Sequence, residues 1–445
     1  MRSQPDVRTA APTTVAIRQV AAASLIGTVI EWYDFFLYGT MAALVFNKQF
    51  FPTFDPLVGT LVAFATFAAG FVTRPFGGIL FGHLGDRLGR KQMLVLTMMI
   101  MGLSTFGMGL LPTYGQIGVA APLVLLALRM LQGIGLGGEW GGAILLCVEH
   151  APPNRRGWYS SWPQLGVPLG LLLATLSVNA VSGFGDDALA NGGWRIPFLV
   201  SIVLVVTGLV VRLRISEPAV FSRLKERDER SKVPLLEVFR RHPRVTLLGM
   251  GARISESSTF NVYNAFLVTY TVEFLGMKQN IALDALVVGA IVGFFVVLAA
   301  GRSSDILGRR KVFMTGAAVA AVSAFPLFAL IDTKSPVLIG VAVVIGWAIA
   351  ACGMFGAEGA LFAEIFPTRV RYSGMSVVYQ IGVLPSGAIA PLVCTALVRH
   401  FAGSSWPAAL YVLAMAVISI VSLVFLPETH KRTLDEIDRN VPDRA

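Results

Sequence analysis

The sequence predicts an all-α membrane protein with twelve transmembrane helices in two pseudo-symmetric six-helix bundles, and three observations support this fold class. The chain of 445 residues is 55% hydrophobic and only 14% charged, whereas about 25% of residues are charged in soluble domains. About twelve segments are long enough to span a ~30 Å hydrocarbon core. The run GHLGDRLGRK at 82–91 returns in outline as GRSSDILGRR at 301–310, which indicates an internal repeat.

The predicted spans follow one another with short connections, except for one long polar interval at 216–243 that contains the charged run RLKERDER at 223–230. This interval predicts a cytoplasmic linker. The chain is therefore expected to divide into an N-terminal bundle at 1–215, the linker at 216–243, and a C-terminal bundle with a short cytoplasmic tail at 244–445. The spans are predicted near 17–46, 57–83, 93–111, 117–148, 157–182, 194–213, 244–275, 281–301, 311–331, 335–364, 371–399 and 405–426.

The internal repeat indicates a class of membrane protein. Asp86 and Arg90 in the first copy correspond to Asp305 and Arg309 in the second. Two-fold repeats of this kind are typical of transporters that work by alternating access, with the substrate between the two halves. The tendency of Lys and Arg to stay on the cytoplasmic side explains the basic residues of the repeat. It does not explain why an aspartate occupies the same position in both copies.

The distribution of Lys and Arg predicts the orientation, because basic loops are retained on the cytoplasmic side. With both termini cytoplasmic, most of the 36 basic residues fall on that side. We therefore expect a multi-pass protein of the plasma (inner) membrane with both termini inside. The first span has no small-residue cleavage site and is predicted to be retained rather than removed as a signal peptide. The opposite loops hold Lys48, Arg195, Lys278, Lys334 and Arg399.

Several classes of function are excluded by the sequence. The net charge of +10 is spread over loops that flank the membrane, so no nucleic-acid partner is expected. Cys147, Cys352 and Cys394 lie in apolar segments, which predicts neither a disulfide nor a metal site. The five histidines fall at span ends or in loops, and no catalytic cluster is visible at membrane depth. We expect no enzyme activity and no cofactor, and a chain that functions as a monomer in the lipid bilayer.

Ionisable residues inside the predicted spans are the candidate functional residues, because each costs about 3 kcal/mol to insert. Their signs nearly balance, which favours pairing. Two of them rank last: Arg74 precedes Pro75, and Glu358 lies near the cytoplasmic end of its span, so either could be structural. The full set is Glu31, Asp34, Arg74, Arg129, Glu139, Arg253, Glu256 and Glu358.

The first span places Glu31, Asp34 and Tyr38 on one side of a helix. Two carboxylates so close in a low dielectric cannot both ionise easily, so one of them is expected to carry a proton near neutral pH. The alternative is that Asp34 is hydrogen-bonded by Tyr38 or by a neighbouring helix and only orders the bundle. We predict proton-coupling roles for Glu31 and Asp34, together with Glu139 of the fourth span.

The fourth span combines glycines at four-residue spacing with two charges. The glycines at 133, 137 and 141 favour close contact between membrane helices. Arg129 and Glu139 are ~15 Å apart along the helix, so each needs a different partner. Glu139 could approach the first-span carboxylates or a cation elsewhere. Arg129 could hold Asp34 or a substrate carboxylate.

The seventh span offers Arg253 and Glu256 at i,i+3 spacing. They either form a self-neutralised ion pair or separate when an anionic substrate replaces Glu256, since a guanidinium group binds a carboxylate in a bidentate manner. Arg129, Arg253 and Glu256 are the predicted charged residues of the substrate site. The residues expected to supply stacking and hydrogen bonds are Tyr33, Tyr38, Trp140, Gln164, Asn261, Tyr263, Asn264, Tyr379 and Gln380.

Six sequence patterns, distributed over nearly the whole chain, together resemble the metabolite:proton symporter family of the major facilitator superfamily. The resemblance implies the major facilitator fold, with a central cavity open alternately to each side, and proton-driven uptake of small organic acids or zwitterions. GGEWGG is closer to the shikimate-like branch than to the osmoprotectant branch. The patterns are EWYDF at 31–35, RPFGG at 74–78, DRxGRK at 86–91, RxxQG at 129–133, GGEWGG at 137–142 and FPTRxRYSG at 366–374.

The resemblance also implies a cytoplasmic gate. Asp86 with Arg90, and Asp305 with Arg309, would form ion pairs and helix-end contacts that close the inner side in the outward-facing state, and Arg87 belongs to the same pattern. The favoured function is a proton-coupled symporter that imports a small organic acid or related carboxylate, with the metabolite and protons as its partners. The alternatives are a proline/betaine-type symporter, a drug:proton antiporter and a non-transporting receptor.

Overall fold

A computed structural model describes residues 14–53, 56–185, 188–213 and 233–439. Most of the predicted linker, including the charged run at 223–230, lies outside the described residues. The described chain contains no strand and consists of long helices joined by short turns, which confirms the predicted all-α fold class.

Twelve long helices follow in the order of the predicted spans. The helix α1 continues through a π-helical turn to Phe50, and α7 continues in the same way to 274. Three short helices, Tyr114–Ile117, Pro234–Arg241 and Leu434–Arg439, lie between or after the long ones. The long helices are α1 (Thr14–Met41), α2 (Pro56–Leu88), α3 (Arg90–Leu110), α4 (Ala120–His150), α5 (Pro153–Ser182), α6 (Arg195–Leu213), α7 (Pro243–Asn261), α8 (Gln279–Leu307), α9 (Arg309–Asp332), α10 (Pro336–Glu364), α11 (Thr368–His400) and α12 (Trp406–Phe425).

Ten helices of the described chain are long and apolar enough to cross a membrane. The other two long helices are α2 and α7. Polar side chains interrupt the apolar sequence of α7, among them the buried Arg253 and Glu256. Charged side chains inside a spanning helix are retained where they face the interior of the protein rather than lipid.

Two helices run further than their predicted spans. The spans predicted at 57–83 and 281–301 continue as helix to Leu88 and Leu307, so Asp86 and Asp305 lie in last helical turns rather than in loops. Gly89 and Gly308 follow, with φ of 130° and 113°. A residue with a side chain rarely adopts such angles, so glycine ends both helices sharply and allows the next helix to begin at once.

Helices within each half pack on one another through small residues. Two of the spaced glycines of α4 face α2: a side chain at Gly133 would overlap the carbonyl oxygen of Gly70, and one at Gly137 would overlap that of Arg74. The third, at 141, faces α11 of the other half. The packing role that the glycine spacing predicts is therefore present. In the second half, α12 packs against α7 and α9.

The two halves meet along two helix pairs, α2 with α11 and α5 with α8. Gly82 of α2 lies against Ser373 and Ser376 of α11, and Gly157 of α5 lies against Gly301 of α8. We call the end of the molecule where these pairs meet the basic end, defined by the turns at 86–91, 149–157, 305–310 and 364–373. The opposite end is the far end, defined by the turns at 111–119, 332–336 and 400–406.

Candidate functional site at the junction of the halves

A stack of three side chains crosses from one half to the other. The rings of Trp140 on α4 and Tyr379 on α11 are parallel, with centroids 3.7 Å apart. The guanidinium carbon of Arg253 on α7 lies 4.2 Å from the centre of the Tyr379 ring. Stacked aromatic and cation–π contacts of this kind stabilise by about 1 kcal/mol each. Trp140 of the GGEWGG segment and Tyr379 of α11 thereby place Arg253 at the junction.

Two glutamines extend this layer with hydrogen bonds between the halves. The Trp140 ring donates to Oε1 of Gln164 at 3.0 Å, and Nε2 of Gln164 donates to the carbonyl oxygen of Phe355 at 3.2 Å. Nε2 of Gln380 donates to the carbonyl oxygen of Gly137 at 3.0 Å. We call Trp140, Gln164, Phe355, Tyr379 and Gln380 the floor, a layer that joins the two halves at the level of Arg253.

Arg253 forms ion pairs with two carboxylates. Glu256 on the same helix pairs with it, as its i,i+3 spacing predicts, and Oε2 of Glu358 on α10 lies 3.1 Å from its Nη1. All three side chains are buried. Glu358, which ranks last in the sequence analysis, is therefore a direct partner of a predicted site residue.

Glu31 and Arg74 lie at the same junction. The Arg74 guanidinium packs over the rings of Phe71 and Phe35, at 4.5 and 5.1 Å from their centres, and it interacts electrostatically with Glu31 and Tyr379. Glu31 is 5% exposed, and its Oε2 has no hydrogen-bond partner within the described chain. We call the following residues the central charged cluster: Glu31, Arg74, Arg253, Glu256 and Glu358.

A second polar network lies inside the first half. Thr105 donates to Oδ2 of Asp34 at 2.7 Å, Gln132 donates to Oγ1 of Thr105 at 2.7 Å, and Arg129 donates to Gln132. Arg129 also lies 4.3 Å from the centre of the Tyr38 ring. Asp34 is thus connected to Arg129 through two side chains. The hydrogen bond to Asp34 therefore comes from a neighbouring helix, which is one of the two partners expected if Asp34 only orders the bundle.

The other structural alternative for Asp34 is a hydrogen bond from Tyr38. The Tyr38 hydroxyl instead forms a hydrogen bond with Oγ1 of Thr66, at 2.7 Å. The contact holds the ring beneath Arg129. Tyr38 therefore orients Arg129 from one face of the guanidinium group.

Glu139 pairs with a basic residue at the end of the sixth span that is not among the predicted site residues. Arg212, in the last turn of α6, binds both carboxylate oxygens of Glu139 and donates to the carbonyl oxygen of Leu94 at 2.8 Å. Thr97 donates to Glu139 at 3.2 Å. The Arg212 side chain is buried, because it reaches back along the helix toward the carboxylate.

Four of the residues predicted to contact substrate lie outside the floor and the central charged cluster. The hydroxyl of Tyr33 donates to the carbonyl oxygen of Pro197 at 2.8 Å, and Tyr263 stacks on Phe328 with centroids 6.0 Å apart. Both tyrosines are buried within their own halves. Asn261 and Asn264 are half-buried beyond Arg253 on the same helix, and Asn261 donates to the carbonyl oxygen of Ser257.

The aspartates of the internal repeat each bind the opposite half. Asp86 lies 3.3 Å from Arg90 and accepts the backbone N–H bonds of Tyr372 and Ser373 at 3.2 and 2.8 Å. These N–H groups begin α11, so the carboxylate binds at a positive helix end. Arg87 of the same pattern is exposed.

Asp305 makes the equivalent contacts from the second half. It lies 2.6 Å from Arg309 and accepts the N–H bonds of Gly157 and Trp158 at 2.9 and 2.8 Å. Both ion pairs expected from the resemblance are present, and each belongs to a contact between the halves.

A glutamate from a neighbouring helix completes each cluster. Glu149 lies 3.5 Å from Arg90 and 3.2 Å from Arg371, and Glu364 lies 3.2 Å from Arg309 and 3.5 Å from Arg156. The sequence analysis did not single out these glutamates. The pattern ExxPxxxR, at 149–156 and again at 364–371, is a repeat that could have identified them.

Within the described residues, no group of three His, Cys, Asp or Glu side chains is arranged to hold a metal ion. The cysteines Cys147, Cys352 and Cys394 are buried and unpaired. The junction presents carboxylate, guanidinium, amide and aromatic groups, which can bind an anion and exchange a proton.

Comparisons with known proteins give a consistent result. A family described as "Sugar (and other) transporter" matches residues 20–234 and 219–441. The shikimate transporter of Escherichia coli is 40% identical over 93% of this chain and 95% of its own length. The inner membrane metabolite transport protein YhjE of the same organism is 39% identical over 94% and 95%. The proline/betaine transporter of Escherichia coli is 33% identical over 94% and 85%.

Solved structures show the same fold. A proton:xylose symporter, XylE, of the major facilitator superfamily superimposes with a TM-score of 0.77 at 17% sequence identity, covering 96% of this chain and 99% of that one.

Proposed function

The chain belongs to the sugar (and other) transporter family of the major facilitator superfamily, and we propose that it is a proton-coupled symporter that imports a small organic acid or related carboxylate metabolite by alternating access. The observation that carries this proposal is the central charged cluster. It brings guanidinium groups, which bind carboxylates, beside buried carboxylates, which bind protons, between the two halves.

The guanidinium groups favour an anionic substrate. Arg253 reaches the junction from the second half and Arg74 from the first. A drug:proton antiporter would be expected to have an apolar cavity with only acidic groups, which binds cationic drugs. Arginines from both halves oppose a drug:proton antiporter, because a cation would be repelled by each of them.

Three carboxylates are the proposed proton carriers. Glu31 has an unsatisfied oxygen at the junction, Asp34 lies in the network that leads to Arg129, and Glu139 pairs with Arg212. Protonation of any of them releases a basic partner or removes a negative charge. Such a change is what couples a proton to the binding of an anion.

We propose that the basic end is cytoplasmic and that both termini lie on that side. The supporting observation is the excess of Lys and Arg at that end. The contacts of Asp86 and Asp305 then close the cytoplasmic side, and the conformation is outward-facing. Opening inward requires both helix-end contacts to break while the bundles at 1–215 and 244–445 rock as units about the linker at 216–243.

A zwitterionic substrate is the second candidate. The central charged cluster contains three carboxylates and two guanidinium groups, so Glu256 or Glu358 could receive the cationic group of a betaine. The 33% identity to the proline/betaine transporter also favours it. The organic acid ranks first because the 40% identical relative is named a shikimate transporter, and because both glutamates are already ion-paired with Arg253.

Uptake into proteoliposomes tests the proposal. We would load vesicles at about pH 7.5, dilute them to about pH 5.5, and measure labelled shikimate, pyruvate, succinate, citrate and glycine betaine. A symporter that carries one proton with a monoanion should accumulate it about 100-fold, since each pH unit supplies a tenfold gradient, and a protonophore should abolish this. Accumulation of betaine alone would favour the second candidate. Proton release on addition of cationic drugs, without uptake of any acid, would contradict the proposal.

A further inference from the structure

We propose that Arg74 holds the substrate carboxylate, that the site accepts substrates with a single carboxylate group, and that Glu31 takes the accompanying proton. This assignment rests on the proposed symport function and names its substrate class. It starts from a residue that the sequence analysis ranks last.

Arg74 lies against aromatic rings and retains a donor that is unpaired within the described chain. Phe71 and Phe35 both pack against the guanidinium group. The two rings are perpendicular to each other, with centroids 5.4 Å apart, so both lie on the same side of Arg74. A guanidinium group carries its N–H donors in its own plane, and a carboxylate binds two of them in a bidentate manner. Nε of Arg74 has no hydrogen-bond partner within the described chain.

Of the two guanidinium groups of the central charged cluster, Arg74 is the one without an ion-pair partner in the described residues. Arg253 has Glu256 and Glu358 within ion-pair distance, and the nearby Arg212 is bound by Glu139. A second anionic group has no comparable unpaired cation in the cluster and would meet Glu256 and Glu358. Like charges placed together in an interface cost several kcal/mol. The cluster therefore suits one carboxylate.

The position of Arg74 is fixed by its backbone. Its carbonyl oxygen lies against Gly137 of α4, where a side chain would overlap it. One turn further along α2, about 6 Å away, Gly78 packs against Gln380 of the floor. A carboxylate bound to Arg74 would therefore lie next to the floor, beside the Tyr379 ring.

Glu31 responds to occupation of Arg74 through electrostatics. The charged and titratable groups that act on it are Arg74 of α2, Glu139 of α4, Arg212 of α6 and Asp34 of its own helix, and Tyr379 of α11 interacts with it as well. Among the cations that act on Glu31, Arg74 has the largest effect, and it has no ion-pair partner in the described residues. A carboxylate that binds Arg74 neutralises this positive charge. Proton binding to Glu31 then becomes more favourable, so anion and proton bind cooperatively.

The test compares four variants with the wild type in detergent and in proteoliposomes. The binding probes are shikimate and pyruvate, each with one carboxylate, and succinate and citrate with more than one, read by ligand-induced thermal stabilisation at about pH 5.5. The variants are Arg74→Gln, Arg74→Lys, Glu31→Gln and, as matched control, Arg399→Gln. The Arg399 side chain is 73% exposed at the far end.

We expect a monocarboxylate to stabilise the wild type and Arg399→Gln at concentrations at least about tenfold below any di- or tricarboxylate. Arg74→Lys should weaken its binding by about ten- to a hundredfold, the loss expected for one charge-assisted hydrogen bond, and Arg74→Gln more. Glu31→Gln should bind and exchange the probe but should not accumulate it against a pH gradient.

The outcomes separate this assignment from the proposed function. Equal binding by the wild type and both Arg74 variants overturns the role of Arg74, and tighter binding of succinate or citrate overturns the single-carboxylate class. Full gradient-driven accumulation by Glu31→Gln overturns its proton role. If the wild type neither binds nor accumulates any acid, both the proposed function and the assignment of Arg74 and Glu31 are wrong. Should Arg74→Gln fail to fold, Arg74→Lys decides.

Discussion

Asp86 and Asp305 are related by the internal repeat, and each accepts two backbone N–H bonds from the first turn of a helix in the opposite half. Each also pairs with the arginine four residues later. A carboxylate at a helix N-terminus is stabilised by the free N–H groups and by the helix dipole. The same short pattern therefore closes both sides of the junction at the basic end.

Replacing Asp86 with Asn should open the basic end more often. The amide retains one acceptor oxygen but loses the charge that Arg90 and the α11 N-terminus bind, and a charge-assisted hydrogen bond contributes about 1.5–3 kcal/mol. Cysteines placed near the floor should be labelled faster from the cytoplasmic side. Lys311→Gln is the control, because Lys311 is exposed at the same end. Unchanged labelling with normal transport would show that Asp86 does not hold the basic end closed and contributes only to the membrane topology of the chain.

Removing Arg212 should destabilise the first half. Its partner Glu139 is 1% exposed, and a buried charge that loses its partner costs about 3–5 kcal/mol. Arg212→Gln should therefore lower the unfolding temperature, and the double variant with Glu139→Gln should recover much of the loss, since no charge is then left unpaired. Additive losses in this double-mutant cycle would contradict a direct pair.

The sequence was sufficient to predict the fold and the ion pairs of the two repeat aspartates. Apolar length, the Lys and Arg distribution and the repeat indicate twelve spans, and the register of Asp86 with Asp305 identifies the contacts between halves. The glycine spacing at 133 and 137 predicts the close approach of α2 and α4. These signals are local or repeated, so a single sequence contains them.

The pairing of buried charges could not be predicted in the same way. Glu358 meets Arg253 only because α7 and α10 pack together. Arg212 is the next-to-last residue of its predicted span, where a basic residue normally marks the cytoplasmic flank. The distinction between an arginine at the membrane surface and one that turns inward depends on the neighbouring helices, which the sequence does not specify locally.

Proton coupling should depend on at least one of Glu31, Asp34 and Glu139. Neutral amide replacements prevent a carboxylate from exchanging a proton while keeping its size. A variant that removes coupling alone should lose gradient-driven accumulation but retain exchange of labelled for unlabelled substrate. We would measure both in the same proteoliposomes. Full accumulation by the triple amide variant would exclude this role.

Arg253→Lys should weaken binding of a carboxylate substrate even though it conserves the charge. The lysine ammonium cannot stack on Tyr379 as the planar guanidinium does, and it cannot bind Glu256 and Glu358 in the same fork geometry. Loss of one charge-assisted hydrogen bond of about 1.5–3 kcal/mol should raise the apparent Kd about ten- to a hundredfold. Arg129→Lys should have a similar effect if Arg129 contacts substrate, whereas a role confined to the Asp34 network would leave binding unchanged.

The Glu358→Gln variant separates the two explanations for an effect at Arg253. If Arg253 itself binds substrate, removing a competing carboxylate should tighten the binding of an organic acid by severalfold, because less negative charge then surrounds the guanidinium group. If Arg253 only holds the floor in place by stacking on Tyr379, the same change should weaken binding or leave it unaltered. Unchanged affinity in Arg129→Ala and Arg253→Ala, measured on correctly folded protein with an identified acid, would make a zwitterionic or neutral solute the better substrate.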